Sequence, residues 1–204
     1  MGVRRPVNRV RGMLESVNCD VRLGLALLGA CLLLLLPVLG GEAARLGLRY
    51  ERTGLAEGQL WRLLTAHWVH LNLRHALINV LGFALMWALF ARDYSVRQWL
   101  GVLGAAVLAI DAGLWLLDST VQWYVGSSGV LHGILAAGTV AHLKRGEADG
   151  WVLAVILAGK LFYEQHFGPL PFSGSTDVVV DAHLYGVLGG GAMALALRPR
   201  ALPL

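Results

Sequence analysis

Long apolar runs alternate with short polar stretches along the chain. They cover residues 23–41 (LGLALLGACLLLLLPVLGG), 70–91, 98–117, 123–143, 151–163 or slightly beyond, and 178–197. A helix of roughly 20 apolar residues crosses a bilayer. The pattern therefore predicts six membrane-spanning helices. The first run is too long for the apolar core of a signal peptide, and no small-residue cleavage site follows it. Pro37 sits near its end, where a membrane helix tolerates a kink. The fifth run is short, and Gly126-Ser127-Ser128-Gly129 interrupts the fourth.

Composition narrows the class. Of 204 residues, 56% are hydrophobic and 15% charged, where soluble domains carry about 25% charged residues. Mean hydropathy is +0.61. These values exclude a disordered chain, a disulfide scaffold and an ordinary soluble domain. Cys19 lies in a basic segment and Cys31 in an apolar run, a pairing that suggests neither a disulfide nor a metal site. The 26 glycines suit closely packed membrane helices.

The loop charges orient the helices. Arg4, Arg5, Arg9, Arg11 and Arg22 precede the first run, Arg92 and Arg97 follow the second, Lys144 and Arg145 follow the fourth, and Arg198 and Arg200 follow the sixth. They are 11 of the 17 basic residues, all on one side. The positive-inside rule makes that side cytoplasmic, with both termini inside. Residues 42–69, 118–125 and 164–177 are then the outer segments. The expected organisation is a basic cytoplasmic segment 1–22, one six-helix bundle 23–197 and a cytoplasmic tail 198–204. No internal repeat, linker or nucleic-acid partner is expected.

Polar residues inside such helices are costly and are functional candidates by default. His75, Ser128 and His183 each lie about five residues from the outer end of their runs, roughly 7–8 Å below the boundary at the helical rise. Asn79 follows His75 on the same face, one turn deeper. A serine hydroxyl is a weak nucleophile and needs a base within hydrogen-bond reach. Ser128 is the candidate nucleophile and His183 the candidate base. Glycines beside Ser128 allow a sharp turn into a helix, whose first N–H groups lack intrahelical partners and can face a developing oxyanion. His75 and the Asn79 amide add side-chain donors. Gly129 and Gly133 on the fourth run, and Gly186 and Gly190 on the sixth, form small-residue faces that let two backbones approach. His183 shares the Gly186/Gly190 face.

The constellation resembles the rhomboid intramembrane serine proteases over roughly residues 60–197. Trp61-Arg62 resembles the family's Trp-Arg element. His70, His75 and Asn79 reproduce H-x-x-x-x-H-x-x-x-N, and Gly126-Ser127-Ser128-Gly129 reproduces G-x-S-G. Ala182-His183-Leu184-Tyr185-Gly186 followed by Gly190 resembles A-H-x-x-G-x-x-x-G. The resemblance implies an all-α, six-helix rhomboid-like bundle in the bacterial inner membrane, opening to the extracytoplasmic side. By the same resemblance Ser128 and His183 form a catalytic dyad, with an oxyanion hole from His75, Asn79 and the Ser128 N–H. His70 then ties down the first outer loop. Rhomboids often have tyrosine four residues after the nucleophile, and this chain has His132, expected beside His183. The strings S-G-V-L-H-G and D-A-H-L-Y-G are similar to the rhombosortase branch. That branch implies substrates with a C-terminal tail of Gly-Gly type.

No third catalytic group is evident, and the expectation is a dyad without an acid. Asp181 is two residues before His183, so on a helix it points away from the imidazole. Asp111, mid-way along the third run, either orients a polar network or is a packed acid. His67, His70, His132 and His142 are compatible with interfacial or structural roles. Neither a cofactor nor a metal is expected. Three rival readings remain at this point. A histidine-ligated haem or metal protein would use His75 and His183. An inactive rhomboid-like protein would bind clients, though such proteins typically lack the serine or the histidine. A transporter relaying protons through Asp111 would be expected to carry an inverted repeat.

Overall fold

The computed structural model describes residues 18, 20–170 and 178–201. Arg4, Arg5, Arg9, Arg11, Cys19, residues 171–177 of the last outer segment and residues 202–204 of the tail lie outside the described residues. Six long helices occupy the six apolar runs. They are α1 (Val21–Leu35), α5 (Leu73–Phe90), α6 (Val96–Leu116), α7 (Ser128–Arg145), α8 (Ala148–Phe167) and α9 (Asp181–Ala196). Between α1 and α5 lie a 3-10 turn (Leu36–Gly40), α2 (Gly41–Leu48), strand β1 (Tyr50–Glu51), α3 (Arg52–Ala56) and α4 (Trp61–Thr65). Strand β2 (Trp123–Tyr124) precedes α7.

Local chemistry sets most of the helix boundaries. The Asp20 side chain accepts from the N–H groups of Arg22 and Leu23 and starts α1. Pro37 sits in the first turn of the 3-10 segment, where its missing N–H costs nothing, so the run expected as one helix changes type there. The Asn72 side chain accepts from His75 N and starts α5 three residues later than the apolar pattern suggests. Ser95 and Gln98 form a capping box on α6. Gly146, at φ 76°, closes α7 in the left-handed region.

Three stretches, Val21–Leu48, Leu73–Phe90 and Val96–Leu116, are long and apolar enough to cross a membrane by length and composition. The remaining long helices fall short for stated reasons. Helix α9 has only 16 residues. Helix α8 carries Asp149, Lys160 and Glu164. Helix α7 is rich in glycine, alanine and histidine because it occupies the middle of the bundle, against α5, α6, α8 and α9. A helix shielded on every side packs through small residues instead of large apolar ones.

The closest approach is α7 on α9. A Cβ on Gly129 would lie 2.8 Å from Ala182 O, and one on Gly133 would lie 2.8 Å from Gly186 O. Cβ atoms on Gly186 and Gly190 would collide with the carbonyls of Gly129 and Gly133. The two small-residue faces read from the sequence therefore meet each other backbone to backbone. At the far end of α7, Lys144 Nζ donates to the carbonyls of Ala194, Leu195 and Leu197. Arg145 bridges Asp93 and Glu147 there, and its hydrogen bond holds the Glu147 carboxyl below the usual carboxylate range.

Strand β2 departs from the expectation of a helix beginning at residue 123. Tyr124 pairs with Tyr50, and Trp123 with Glu51, in an antiparallel clasp. This clasp ties the long segment before α5 to the residues that lead into Ser128. Arg62 locks the same segment from within. Its guanidinium is buried and donates to the carbonyls of Leu46 and Arg49 and to Gln59 Oε1. Trp61 Nε1 donates to Gly47 O.

Candidate active site

Three helix starts converge at one level. Ser128 is the first residue of α7, His75 the third of α5 and His183 the third of α9. Ser128 Oγ lies 3.0 Å from His183 Nε2, within hydrogen-bond reach of a base. The two helices that carry them are held by the glycine contacts, so this distance follows from the backbone packing. His183 is buried.

The expectation of a histidine without an acidic partner is corrected. His183 Nδ1 lies 2.9 Å from Glu164 Oε2 on α8, and Glu164 is 2% exposed. The other oxygen, Oε1, accepts from Lys160 Nζ at 2.6 Å, one turn earlier on the same helix. A buried carboxylate is tolerated only with such partners. The sequence reading missed Glu164 because it ended the fifth run at Tyr163 or slightly beyond and counted residue 164 with an outer segment. The helix continues to Phe167. Leu157, Lys160 and Glu164 follow at helical spacing, with Leu157 and Glu164 buried. That face was the available signal.

His132 lies where the sequence expects it. Its ring stacks on His183, with centroids 4.1 Å apart and planes 16° apart. Its Nδ1 lies 2.7 Å from Ser128 O, the carbonyl one turn before it. His132, Glu164 and His183 also form a compact ligand-type cluster, with one donor atom of each within 4.8 Å of the others. Each of the three already has a protein partner.

On the other side of Ser128 stand the donors. The Leu71 N–H donates to His75 Nδ1, which leaves the His75 proton on Nε2. Gly126 adopts φ 123°, and a Cβ there would come within 3.0 Å of His75 Cε1 and 3.9 Å of Ser128 Oγ. Glycine is required both for that dihedral and for that approach. Asn79 Nδ2 donates to His75 O, leaving its second N–H uncommitted to that bond, and Asn79 Oδ1 accepts from Ser127 Oγ. His70 Nε2 donates in turn to Ser127 Oγ at 3.2 Å. Ser127, not singled out by the sequence reading, is thus the bridge between His70 and Asn79. His70 and His75 also meet edge to face at 5.3 Å.

Beneath the Gly-Ser-Ser-Gly turn, Tyr124 Oη donates to Gly126 O and the Gly126 N–H donates to Ala66 O. His67 lies edge-on to Tyr124 and 3.3 Å from Asp111. Asp111 therefore belongs to a polar network that supports the turn and does not touch His183. A cavity of about 340 Å³ opens over the site. His75, Asn79, Ser128, His132, Glu164 and His183 line it, with Ile78, Leu131, Leu170 and Val178 as apolar walls. An extended peptide could be fixed there by few polar groups among apolar ones.

The sequence profile of the Rhomboid domain family matches residues 57–200. The chain belongs to the rhomboid family. It is 25% identical over 137 residues to the Bacillus subtilis (strain 168) protein named "Putative rhomboid protease YdcA", covering 67% of each chain. No solved structure gives a significant match. The residues that line the site cavity all lie inside the matched region.

Proposed function

We propose that this rhomboid-family chain is an intramembrane serine endopeptidase with Ser128 as nucleophile and His183 as general base. The observation that carries the reading is the 3.0 Å contact between Ser128 Oγ and His183 Nε2. In the first step Oγ attacks the scissile carbonyl carbon and the Oγ–H proton passes to His183 Nε2. The carbonyl electron pair moves onto oxygen. The Ser128 N–H at the start of α7, the His75 Nε2–H and an Asn79 N–H are the donors that stabilise that charge. Collapse breaks the C–N bond, and the His183 proton goes to the leaving amine. Water then enters, its oxygen bonds to the acyl carbon as its proton passes to His183 Nε2, and collapse breaks the C–Oγ bond while that proton returns to Ser128 Oγ.

The wider reading is a six-span bundle with both termini cytoplasmic and the site near the extracytoplasmic surface. It is supported by the six long helices and by basic residues gathered at the far ends of α5, α7 and α9. The substrate is then a single-span membrane anchor, cut near its outer end. A helix hides its carbonyls in hydrogen bonds, so the anchor must unwind. Glycine lowers that cost by about 1 kcal/mol per residue relative to alanine. The short strings around Ser128 and His183 favour the rhombosortase branch, and exported proteins with a C-terminal Gly-Gly-type tail as substrates.

The test is co-expression of a reporter bearing such a tail with the wild-type protein and with Ser128→Ala, followed by mass spectrometry of the released C-terminus. Release that depends on Ser128, with the cut beside the small-residue cluster, is expected. Equal release in both, or a cut at the cytoplasmic end, overturns the reading. A fluorophosphonate probe should label the wild type at Ser128 and leave Ser128→Ala unlabelled.

A further inference from the structure

The Ser128–His183 pair is continued by two residues whose orientation is fixed in sequence. Glu164 Oε2 meets His183 Nδ1 at 2.9 Å, and Lys160 Nζ holds Glu164 Oε1 at 2.6 Å. We propose that Glu164 is a third member of the catalytic constellation, a positioning residue for His183, and that Lys160 fixes which oxygen it presents. The inference rests on the proposed peptidase activity and extends it from a dyad to a Ser–His–Glu arrangement backed by lysine.

Chemistry gives this geometry a definite meaning. An imidazole has one proton and two nitrogens, and the hydrogen bond at one nitrogen decides the state of the other. A carboxylate can only accept. Nδ1 must therefore carry the proton, and Nε2 presents its lone pair to the Ser128 hydroxyl. When Nε2 takes the serine proton, the imidazolium that forms has Glu164 already against its Nδ1–H. The groups around His183 are Ser128 and His132 from α7, Glu164 and Lys160 from α8, His75 from α5, and Asp181 two residues earlier on α9. Of the carboxylates among them, Glu164 is the one hydrogen-bonded to the ring. Glu164 is 2% exposed, and among the described residues its hydrogen-bond partners are His183 and Lys160.

Lys160 makes the proposal sharply testable. In Glu164→Gln, Lys160 Nζ donates to the amide oxygen, which turns the NH2 group toward His183 Nδ1. Nδ1 is then forced to accept, and the Nε2 proton points at Ser128. The base is switched off in a site of unchanged shape. An analogous tautomer trap costs about 10⁴ in kcat. In Glu164→Ala the imidazole is free to choose either tautomer, and the loss is smaller. In the double variant Lys160→Met/Glu164→Gln, the amide can rotate and offer its oxygen to Nδ1–H, so activity partly returns. A residue that served only packing gives the reverse order, because glutamine preserves volume and alanine does not.

The experiment measures kcat and KM for cleavage of a tailed single-span reporter in detergent, together with fluorophosphonate labelling rates. It compares the wild type, Ser128→Ala, Glu164→Gln, Glu164→Ala and the double variant, each checked for thermal unfolding. The expected result is a kcat for Glu164→Gln at least tenfold below Glu164→Ala, at nearly unchanged KM, and at least tenfold recovery in the double variant. A kcat for Glu164→Gln equal to or above that of Glu164→Ala, or no recovery in the double variant, overturns the inference while leaving the peptidase reading intact. A wild type that neither cleaves nor labels at Ser128 overturns both.

Discussion

His132 lies flat against His183, ring on ring at 4.1 Å, and its own Nδ1 is occupied by the carbonyl of Ser128. The stacked ring limits how far the His183 imidazole can tilt away from Ser128 and Glu164. In His132→Ala that support is gone, and kcat should fall at nearly unchanged KM. His132→Phe restores a flat ring and should recover most of the loss. Steady-state kinetics of the two variants checks this, and an equal loss in both would show that the stacked ring does not position His183.

Ser128→Ala and His183→Ala should each abolish cleavage of a single-span reporter while the protein stays folded in membranes. The two act as one unit, so the double variant should be no slower than either single variant. Residual turnover in Ser128→Ala above one part in a thousand of wild type, measured by gel release of the reporter, would be incompatible with its role as nucleophile.

His75→Ala and Asn79→Ala should lower kcat by about 10²–10³ each, with little change in KM, as expected for donors that matter where charge develops. Ser127→Ala should resemble a mild form of Asn79→Ala, because Ser127 Oγ holds Asn79 Oδ1 and links it to His70. Steady-state kinetics on all three checks this. An effect confined to KM would reassign these residues to substrate binding.

Gly186→Val should separate α7 from α9, since its added carbons collide with the Gly129 carbonyl. Overpacking of this kind costs about 1–3 kcal/mol. The variant should unfold at lower temperature and lose fluorophosphonate labelling together, because the same contact sets the Ser128–His183 distance. Gly159→Ala is the control. Nothing lies within 4 Å of a Cβ there, so labelling should be kept and the unfolding temperature should not fall.

Much of the site was legible because its residues announce themselves. Ser128 sits among glycines, and His75, Asn79 and His183 are polar residues inside apolar runs, which hydropathy alone marks as exceptions. The small-residue faces at Gly129/Gly133 and Gly186/Gly190 likewise reflect a local spacing rule that the fold obeys. Glu164 was hidden by the same hydropathy reading. A charged residue near the end of a short apolar run looks like the start of a loop, and only its place on the inward face of α8 shows otherwise. Trp123 and Tyr124 were misread for a different reason. Their strand exists through Tyr50 and Glu51, more than seventy residues earlier, and no local pattern records a partner at that distance.

The glycine seam between α7 and α9 divides the site mechanically. Ser128 and His183 ride on two helices joined backbone to backbone and pinned again by Lys144 at the opposite end, so they move as one block. The remaining parts are carried by neighbours: His75 and Asn79 by α5, Glu164 and Lys160 by α8. A sideways excursion of α5 to admit a bulky chain therefore withdraws the charge-stabilising groups, and one of α8 withdraws the carboxylate. In either case Ser128 and His183 stay paired. On the proposed peptidase reading, attack waits for the displaced helix to return, so the closing of the wall behind the guest times the cut.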